Sequence, residues 1–503
     1  MSSIALQGLI SALLLSAPFL SQAFFATAWV AFVPLCRAVD KQESLRGAGV
    51  LGWLVGFLAN LFGFHWLVYT ISVFGGFPYI VSVVLFVLYA ALQGVQTALF
   101  ALLLKRFGYG PLFLFPVVFW VAIEFWFPFL FPWHLANSQS SVISFIQTAD
   151  LVGAYGASFL VMWCNVILAR ALATRKEGST LPWVPALICA IGVIGSLAYG
   201  HLRLGRVAAE IKAAPKLSVA SVQGNIPVGM KWDPQAMKTN LAAHVKLTRD
   251  IAGAQLVIWP ESAVEEWLPE SLPQLPREFI DLLELKGAHF IFGARSFSGT
   301  FAGPNFKAFN TAFLTDTHGR VLGRYHKQVL LAFGEYLPFS SILSKLPAMP
   351  FADGFTAGDG PRTLDLPGGG KIAPLICYED LMPELSRAFV RQTKANLLLN
   401  ITNDAWYGRS VAPWQHAQLA QLRAIETRRT LLRVTNTGAT TVIDATGATV
   451  QSLPTFTGAV MNANVELLEG ETAYVRFGDW FAWGISFISL AVVLMYWKKN
   501  SPA

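Results

Sequence analysis

Three short stretches place residues able to do acyl chemistry where strands should end. "LVIWPE" closes on Glu261, "GRYH" runs into Lys327, and "APLIC" closes on Cys377. A carboxylate that takes a thiol's proton, an ammonium that meets developing negative charge and a sulfur that attacks as thiolate are the parts of nucleophilic acyl transfer. Taken singly, each has an ordinary reading: a solvated turn, a surface lysine, a core cysteine. Taken together, they describe Cys377 as nucleophile, Glu261 as general base, and Lys327 with a backbone N–H at the Cys377 turn as oxyanion support. A helix expected to begin near Asp380–Pro383 would aim its positive end at the sulfur. No metal and no cofactor are expected. His326 and His416 lie outside any ligand-like spacing and read as structural.

The elements that must hold these residues follow from the pattern after Lys216. Short β-rich runs, "KLSVASVQGNI" (216–226), "QLVIWPE" (255–261), "HFIFGAR" (289–295), "KIAPLICYE" (371–379), "ANLLLNITN" (395–403) and "LLRVTNTG" (431–438), alternate with helical segments near 234–251, 382–393 and 413–430. Asp233 is the expected N-cap of the first helix. "NTAFLTD" (310–316) and "GRVLGRYHK" (319–327) read as a hairpin turning at "THG". Strands alternating with helices predict a layered α/β domain. The Pro- and Gly-rich stretch 338–360 is long and apolar. It reads either as a lid dipping into lipid or as a packed loop.

The rest of the chain is of another kind. Of the 503 residues, 54% are hydrophobic and 13% charged, against about 25% charged in ordinary soluble domains. Residues 4–36 and 47–104 contain no Asp, Glu, Lys or Arg. Breaks near Pro18/Ser21/Gln22 and at 72–79 divide them into four spans. Further spans are expected at roughly 110–128, 153–170, 181–200 and 480–497, which makes eight. The first span lacks a basic leader and is expected to stay uncleaved.

Before residue 200 the basic residues are Arg37, Lys41, Arg46, Lys105, Arg106, Arg170, Arg175 and Lys176. Placing the N-terminus inside puts all of them on the cytoplasmic side, so residues 201–479 face outward, into the periplasm of a bacterium-like cell. The clusters read as topology signals, and the net charge of +7 implies no nucleic-acid partner. The expected organisation is a seven-span domain (1–200), an extracytoplasmic catalytic domain (201–475), and an eighth span with a cytoplasmic tail (476–503). Glu124 and His65 interrupt the apolar stretches. Each is read as touching a lipid headgroup or bonding a neighbouring helix. Cys36, Cys164 and Cys189 lie in or at the end of apolar runs, which leaves Cys377 as the lone thiol of the polar region.

"WPES", "YHKQ" and "CYED" resemble the Glu–Lys–Cys motifs of the nitrilase, or carbon–nitrogen hydrolase, superfamily, whose fold is an α-β-β-α sandwich. A nitrilase-like domain before the last of eight spans resembles the apolipoprotein N-acyltransferase family, along essentially the whole chain. "QGNIP" (223–227), "KWD" (231–233), "LLAFGEYLPF" (330–339) and "NDAWYGRSVAPWQH" (403–416) fit that resemblance. It implies a bacterial inner-membrane enzyme and a ping-pong reaction. Cys377 would take the sn-1 acyl chain of a phospholipid, typically phosphatidylethanolamine, as a thioester. It would pass the chain to the α-amino group of a diacylglyceryl-cysteine apolipoprotein. The resemblance further implies accessory roles for Glu335, which would orient Lys327, and for Glu379. It places Trp232, Trp406 and Tyr407 against acyl chains or headgroups, although aromatic packing is the competing reading. A monomer is expected. The alternative function is a membrane-tethered amidase or nitrilase that gives the acyl group to water.

Overall fold

The computed structural model describes residues 3–129, 131–177, 180–300, 303–332, 334–336 and 354–497. The chain divides into two compact units: Met1–Val68, Val83–Arg206 and Phe477–Ala503 form one, Tyr69–Ser82 and Val207–Arg476 the other.

The first unit is helical. Six helical segments are long and apolar enough to cross a membrane: Ser3–Leu20, Gln22–Asp40, Leu45–Gly63, Tyr79–Phe107, Tyr155–Arg175 and Trp183–Ala213. Two shorter apolar ones, Pro111–Trp126 and Trp480–Tyr496, complete the eight stretches expected from composition. The seventh helix continues past residue 200 to Ala213. The third and fourth pack through glycine: a Cβ on Gly94 would stand 2.8 Å from the Trp53 carbonyl, so small residues let the backbones approach. The second segment changes from a 3-10 helix, Gln22–Trp29, to an α-helix, Val33–Asp40. Buried Asn165 meets the backbone groups at that break, accepting from Phe32 N–H and donating to the Ala28 carbonyl, both at 2.8 Å. Unbonded backbone groups in lipid cost several kcal/mol each, roughly.

Glu124 does not face lipid. Its carboxylate is buried and accepts from Trp120 Nε1 at 3.0 Å and Leu135 N–H at 2.7 Å, holding the turn Leu135–Gln139. His65 lies near the carbonyl of Phe62, at 3.0 Å from Nδ1.

The second unit holds thirteen strands among the described residues: β1 Lys216–Gln223, β2 Leu256–Ile258, β3 Val264–Pro269, β4 His289–Ser298, β5 Lys307–Thr315, β6 Val321–His326, β7 Leu364–Asp365, β8 Lys371–Ile376, β9 Leu397–Thr402, β10 Leu431–Thr435, β11 Thr441–Ile443, β12 Thr449–Ser452 and β13 Ala459–Glu466. They form two sheets, ordered β13-β1-β2-β4-β5-β6, with β3 beside β4, and β12-β11-β10-β9-β8-β7. The sheets face each other where β1 meets β10 and β5 meets β8. The helix Met237–Arg249 packs on β1 and β13, and the helix Ala412–Thr427 on β10. This is the expected α-β-β-α layering. In the first sheet, Phe290, Phe292 and Phe313 stack at 5.0 and 5.4 Å and form the middle of the core.

One local expectation differs from the structure. Asp233 does not cap a helix; its carboxylate accepts from Gln235 N–H in a turn, and the helix starts at Met237. Cys377 opens a 3-10 turn, Cys377–Leu381, and the α-helix begins at Pro383, within the range expected for it. Of the stretch 338–360, residues 338–353 lie outside the described residues. Its described end is packed backbone: Phe355, Thr356 and Gly358 donate to the carbonyls of Glu335, Ala308 and Lys327.

Candidate active site

Cys377 follows the last residue of β8, with φ at 58°. An L-residue adopts that left-handed conformation at a cost of roughly 1–2 kcal/mol, so the surroundings must hold it. Asn400 does so from β9, donating to the carbonyls of Leu375 and Cys377 at 3.0 and 2.7 Å. Glu379, two residues on, is fully buried. Its oxygens accept from Ile376 N–H at 2.7 Å and from Gln328 and Val329 N–H at 2.7 and 3.0 Å, and lie 3.0 Å from the Tyr325 hydroxyl. One carboxylate thus ties the residue before Cys377 to the residue after Lys327. Burial pushes the Glu379 carboxyl up to about 7, against Lys327 and the three backbone donors.

Lys327, 1% exposed at the end of β6, lies 2.9 and 2.8 Å from the two oxygens of Glu335. Glu335 also accepts from Leu331 N–H at 2.8 Å. Glu261 reaches the same group from beyond β2. Asn310 Nδ2 donates to Glu261 at 2.8 Å and to Glu335 at 3.0 Å, and Asn403 N–H donates to the other Glu261 oxygen at 3.0 Å. The Lys327 ammonium stands 5.3 Å from the centre of the Tyr378 ring, next to Cys377 in sequence.

The charges are mutually coupled. Burial would lower the Lys327 ammonium, but Glu335, Cys377 and Glu261 more than reverse this and hold it above its usual value. Burial pushes the Glu261 carboxyl up; Lys327 opposes this and Glu335 adds to it. The Cys377 thiol is pushed up by burial and by Glu261, with Lys327 pulling the other way. A thiol pushed up by burial suits proton transfer at the moment of attack rather than a standing thiolate.

All five carboxylate, lysine and cysteine candidates therefore meet in one place. The aromatic candidates lie around it differently. Tyr407 is buried, and its hydroxyl is pushed up by burial, then by Cys377, Asp404 and Glu261. Trp406 is half-buried with its ring against Phe74 at 4.6 Å, and its carbonyl accepts from Thr70. Trp232, also at positive φ, carries the Arg295 guanidinium 4.1 Å from its ring centre, with Trp267 on that cation at 4.7 Å.

Sequence reasoning missed Asn310, Asn403 and Tyr325. The detectable signal was a polar residue inside an apolar strand run, as in "FNTAFL". It also missed that Tyr69–Ser82, a break between apolar stretches, belongs to this unit.

The two-sheet layered domain is of the carbon–nitrogen hydrolase type. The carbon-nitrogen hydrolase family model matches residues 218–473, and the apolipoprotein N-acyltransferase N-terminal domain model matches 11–167. A Geobacter metallireducens protein named apolipoprotein N-acyltransferase is 35% identical over 99% of this chain and 96% of its own length. One of the same name from Shewanella oneidensis is 30% identical over 90% and 88%. Among solved structures, an amidase of the nitrilase superfamily from Nesterenkonia is 21% identical, with TM-score 0.36, over 52% of this chain and 95% of that one. The chain belongs to the apolipoprotein N-acyltransferase family.

Proposed function

We propose that this chain moves an acyl chain from the sn-1 position of a phospholipid, phosphatidylethanolamine in the first instance, to the α-amino group of a diacylglyceryl-cysteine at the N-terminus of apolipoproteins. In the first half-reaction the Cys377 sulfur attacks the ester carbonyl while Glu261 takes the thiol proton. Lys327, steadied by Glu335, meets the oxyanion. The C–O bond breaks, Glu261 returns the proton to the glyceryl oxygen, and lysophospholipid leaves a thioester on Cys377. In the second, the acceptor amine attacks the thioester, Glu261 takes its proton, the C–S bond breaks and the thiol is restored. No water is consumed.

The observation that carries this reading is the coupled group of Glu261, Lys327 and Cys377, which follow β2, β6 and β8, with Glu335 on Lys327. Relatives similar to this protein over nearly the whole chain are named as acyltransferases, which favours transfer over hydrolysis. Trp232, Trp406 and Tyr407 are proposed to line the substrate path. The enzyme is placed in the bacterial inner membrane with residues 207–476 on the periplasmic side. Tyr69–Ser82 and 207–476 share one compact unit. It is proposed to act as a monomer.

The test is the full chain in vesicles of phosphatidylethanolamine with a diacylglyceryl-cysteine peptide. N-acylated peptide and lysophospholipid in equal amounts are expected. Free fatty acid without acylated peptide would assign the site to hydrolysis instead.

A further inference from the structure

Behind the Cys377 turn lies a second buried group of charges that the reaction scheme does not use. Asp380 comes from the same 3-10 turn as Cys377, and Asp404 from the turn after β9. His416 comes from the helix Ala412–Thr427, and Arg433 from β10. None is more than 4% exposed. His416 Nε2 lies 2.9 Å from an oxygen of Asp380, and its Nδ1 lies 3.2 Å from an oxygen of Asp404. Arg433 bonds the other oxygen of Asp380, and its Nη2 stands 4.0 Å from Asp404. The edge of the Tyr407 ring closes the group, 6.1 Å from the His416 ring. Asp404 is seated closely: a Cβ at Gly438 would stand 2.6 Å from its carboxyl carbon.

Counting charges makes the histidine informative. Two carboxylates face one guanidinium, so the group is short of one positive charge. A neutral imidazole donates from only one nitrogen and would turn the other's lone pair toward a carboxylate oxygen. Only an imidazolium donates to both Asp380 and Asp404. With it the group is balanced, two positive against two negative; without it, an uncompensated negative charge stands behind the nucleophile. An uncompensated buried charge is costly to its surroundings. The sulfur lies within electrostatic reach: after burial, Glu261 and Glu335, and against Lys327, Asp404 is a further cause pushing the Cys377 thiol up, and Cys377 in turn acts on Arg433.

Given the reading of Cys377 as nucleophile, we propose that His416 is a positioning residue: clamped between Asp380 and Asp404, it holds the Cys377 turn and cancels the carboxylate charge that would otherwise oppose formation of the thiolate. It touches neither substrate nor reacting atoms and acts through Asp404 and the turn.

The experiment uses the full chain in detergent and reads the rate of iodoacetamide alkylation at Cys377 by peptide mass, beside acylation by phosphatidylethanolamine vesicles. His416→Gln leaves a donor for Asp380 but sets an amide oxygen against Asp404. Alkylation at fixed pH is expected to slow about tenfold, the effect of one unit in thiol ionisation, with kcat falling and KM for phospholipid unchanged. Asp404→Asn keeps the geometry and removes the charge, so alkylation is expected to quicken. His416→Gln with Asp404→Asn restores the donor–acceptor match and is expected to return close to wild type. A purely structural histidine predicts the opposite, two losses that add. A double variant no faster than His416→Gln overturns the proposal. Should His416→Gln fail to fold, Asp404→Asn decides alone, and an unchanged or slower rate overturns it. Wild-type Cys377 that phospholipid never acylates would overturn the nucleophile reading. An acylated wild type with unmoved variants would overturn only the charge balance.

Discussion

Glu335 holds Lys327 by both oxygens, at 2.9 and 2.8 Å, in a site where the lysine is almost fully buried. A buried ammonium is costly unless paired, and this pairing keeps the cation charged and fixed beside Cys377. In Glu335→Gln the lysine loses that charge partner and its tether. kcat for acyl transfer is expected to fall about 10²-fold, the scale associated with a 1 Å misplacement, while KM for phospholipid moves little. Steady-state kinetics on vesicles check this; a change confined to KM would assign Glu335 to substrate binding.

Cys377→Ala should abolish acyl transfer in a chain that still folds and enters the membrane. Wild-type enzyme incubated with phospholipid alone should gain one hydroxylamine-labile acyl group on Cys377, seen by intact mass. Active enzyme without that adduct would end the two-step scheme.

With Glu261 as the proposed general base, the acid side of the pH profile is expected to follow its carboxyl. Its carboxyl is held above the ordinary 4.5, by burial first and then Glu335. As pH falls it therefore takes up a proton earlier than a solvated glutamate, and the base form is lost. The acid limb of single-turnover acylation should lie above 4.5 and vanish in Glu261→Gln, whose residual rate should be 10²–10⁴-fold lower, on the order usual for general bases. Lys327 is held above its ordinary value, so it should add no limb below about 10.

Gly293 gives Glu261 its place. A Cβ there would stand 2.7 Å from Glu261 Cα, the Pro260 carbonyl oxygen and Ser262 N. These are backbone atoms that cannot turn aside. Gly293→Ala should push the Glu261 turn away and cost at least tenfold, on the order of the positional penalty. The alkylation rate at Cys36 and Cys189, which belong to the helical unit, should not change.

Glu379→Gln replaces two acceptor oxygens with one and sets an amide NH₂ against backbone donors. Each donor stranded in the interior costs about 1–3 kcal/mol. The thermal unfolding midpoint should fall together with activity. A variant of wild-type stability that is inactive would mean that Glu379 acts in the chemistry and does more than tie Gln328 to Ile376.

The eight apolar stretches, their basic flanks and the glutamate, lysine and cysteine that follow three strands were legible in the sequence, because hydrophobic runs and residue type are local properties. The turn chemistry was less so: Asp233 looked like a helix cap but makes a turn, since both uses satisfy the same carboxylate with a nearby N–H. Partners were decided only by tertiary structure. Glu261 and Glu335 share Asn310 because β4 and β5 pair antiparallel beside β2. β1 takes β13, more than 200 residues away, as its edge partner. His416 meets Asp380 and Asp404 because the helix Ala412–Thr427 folds back over β10, close to the Cys377 turn. Sheet order and register set those distances, and neither is written in the periodicity of any one strand.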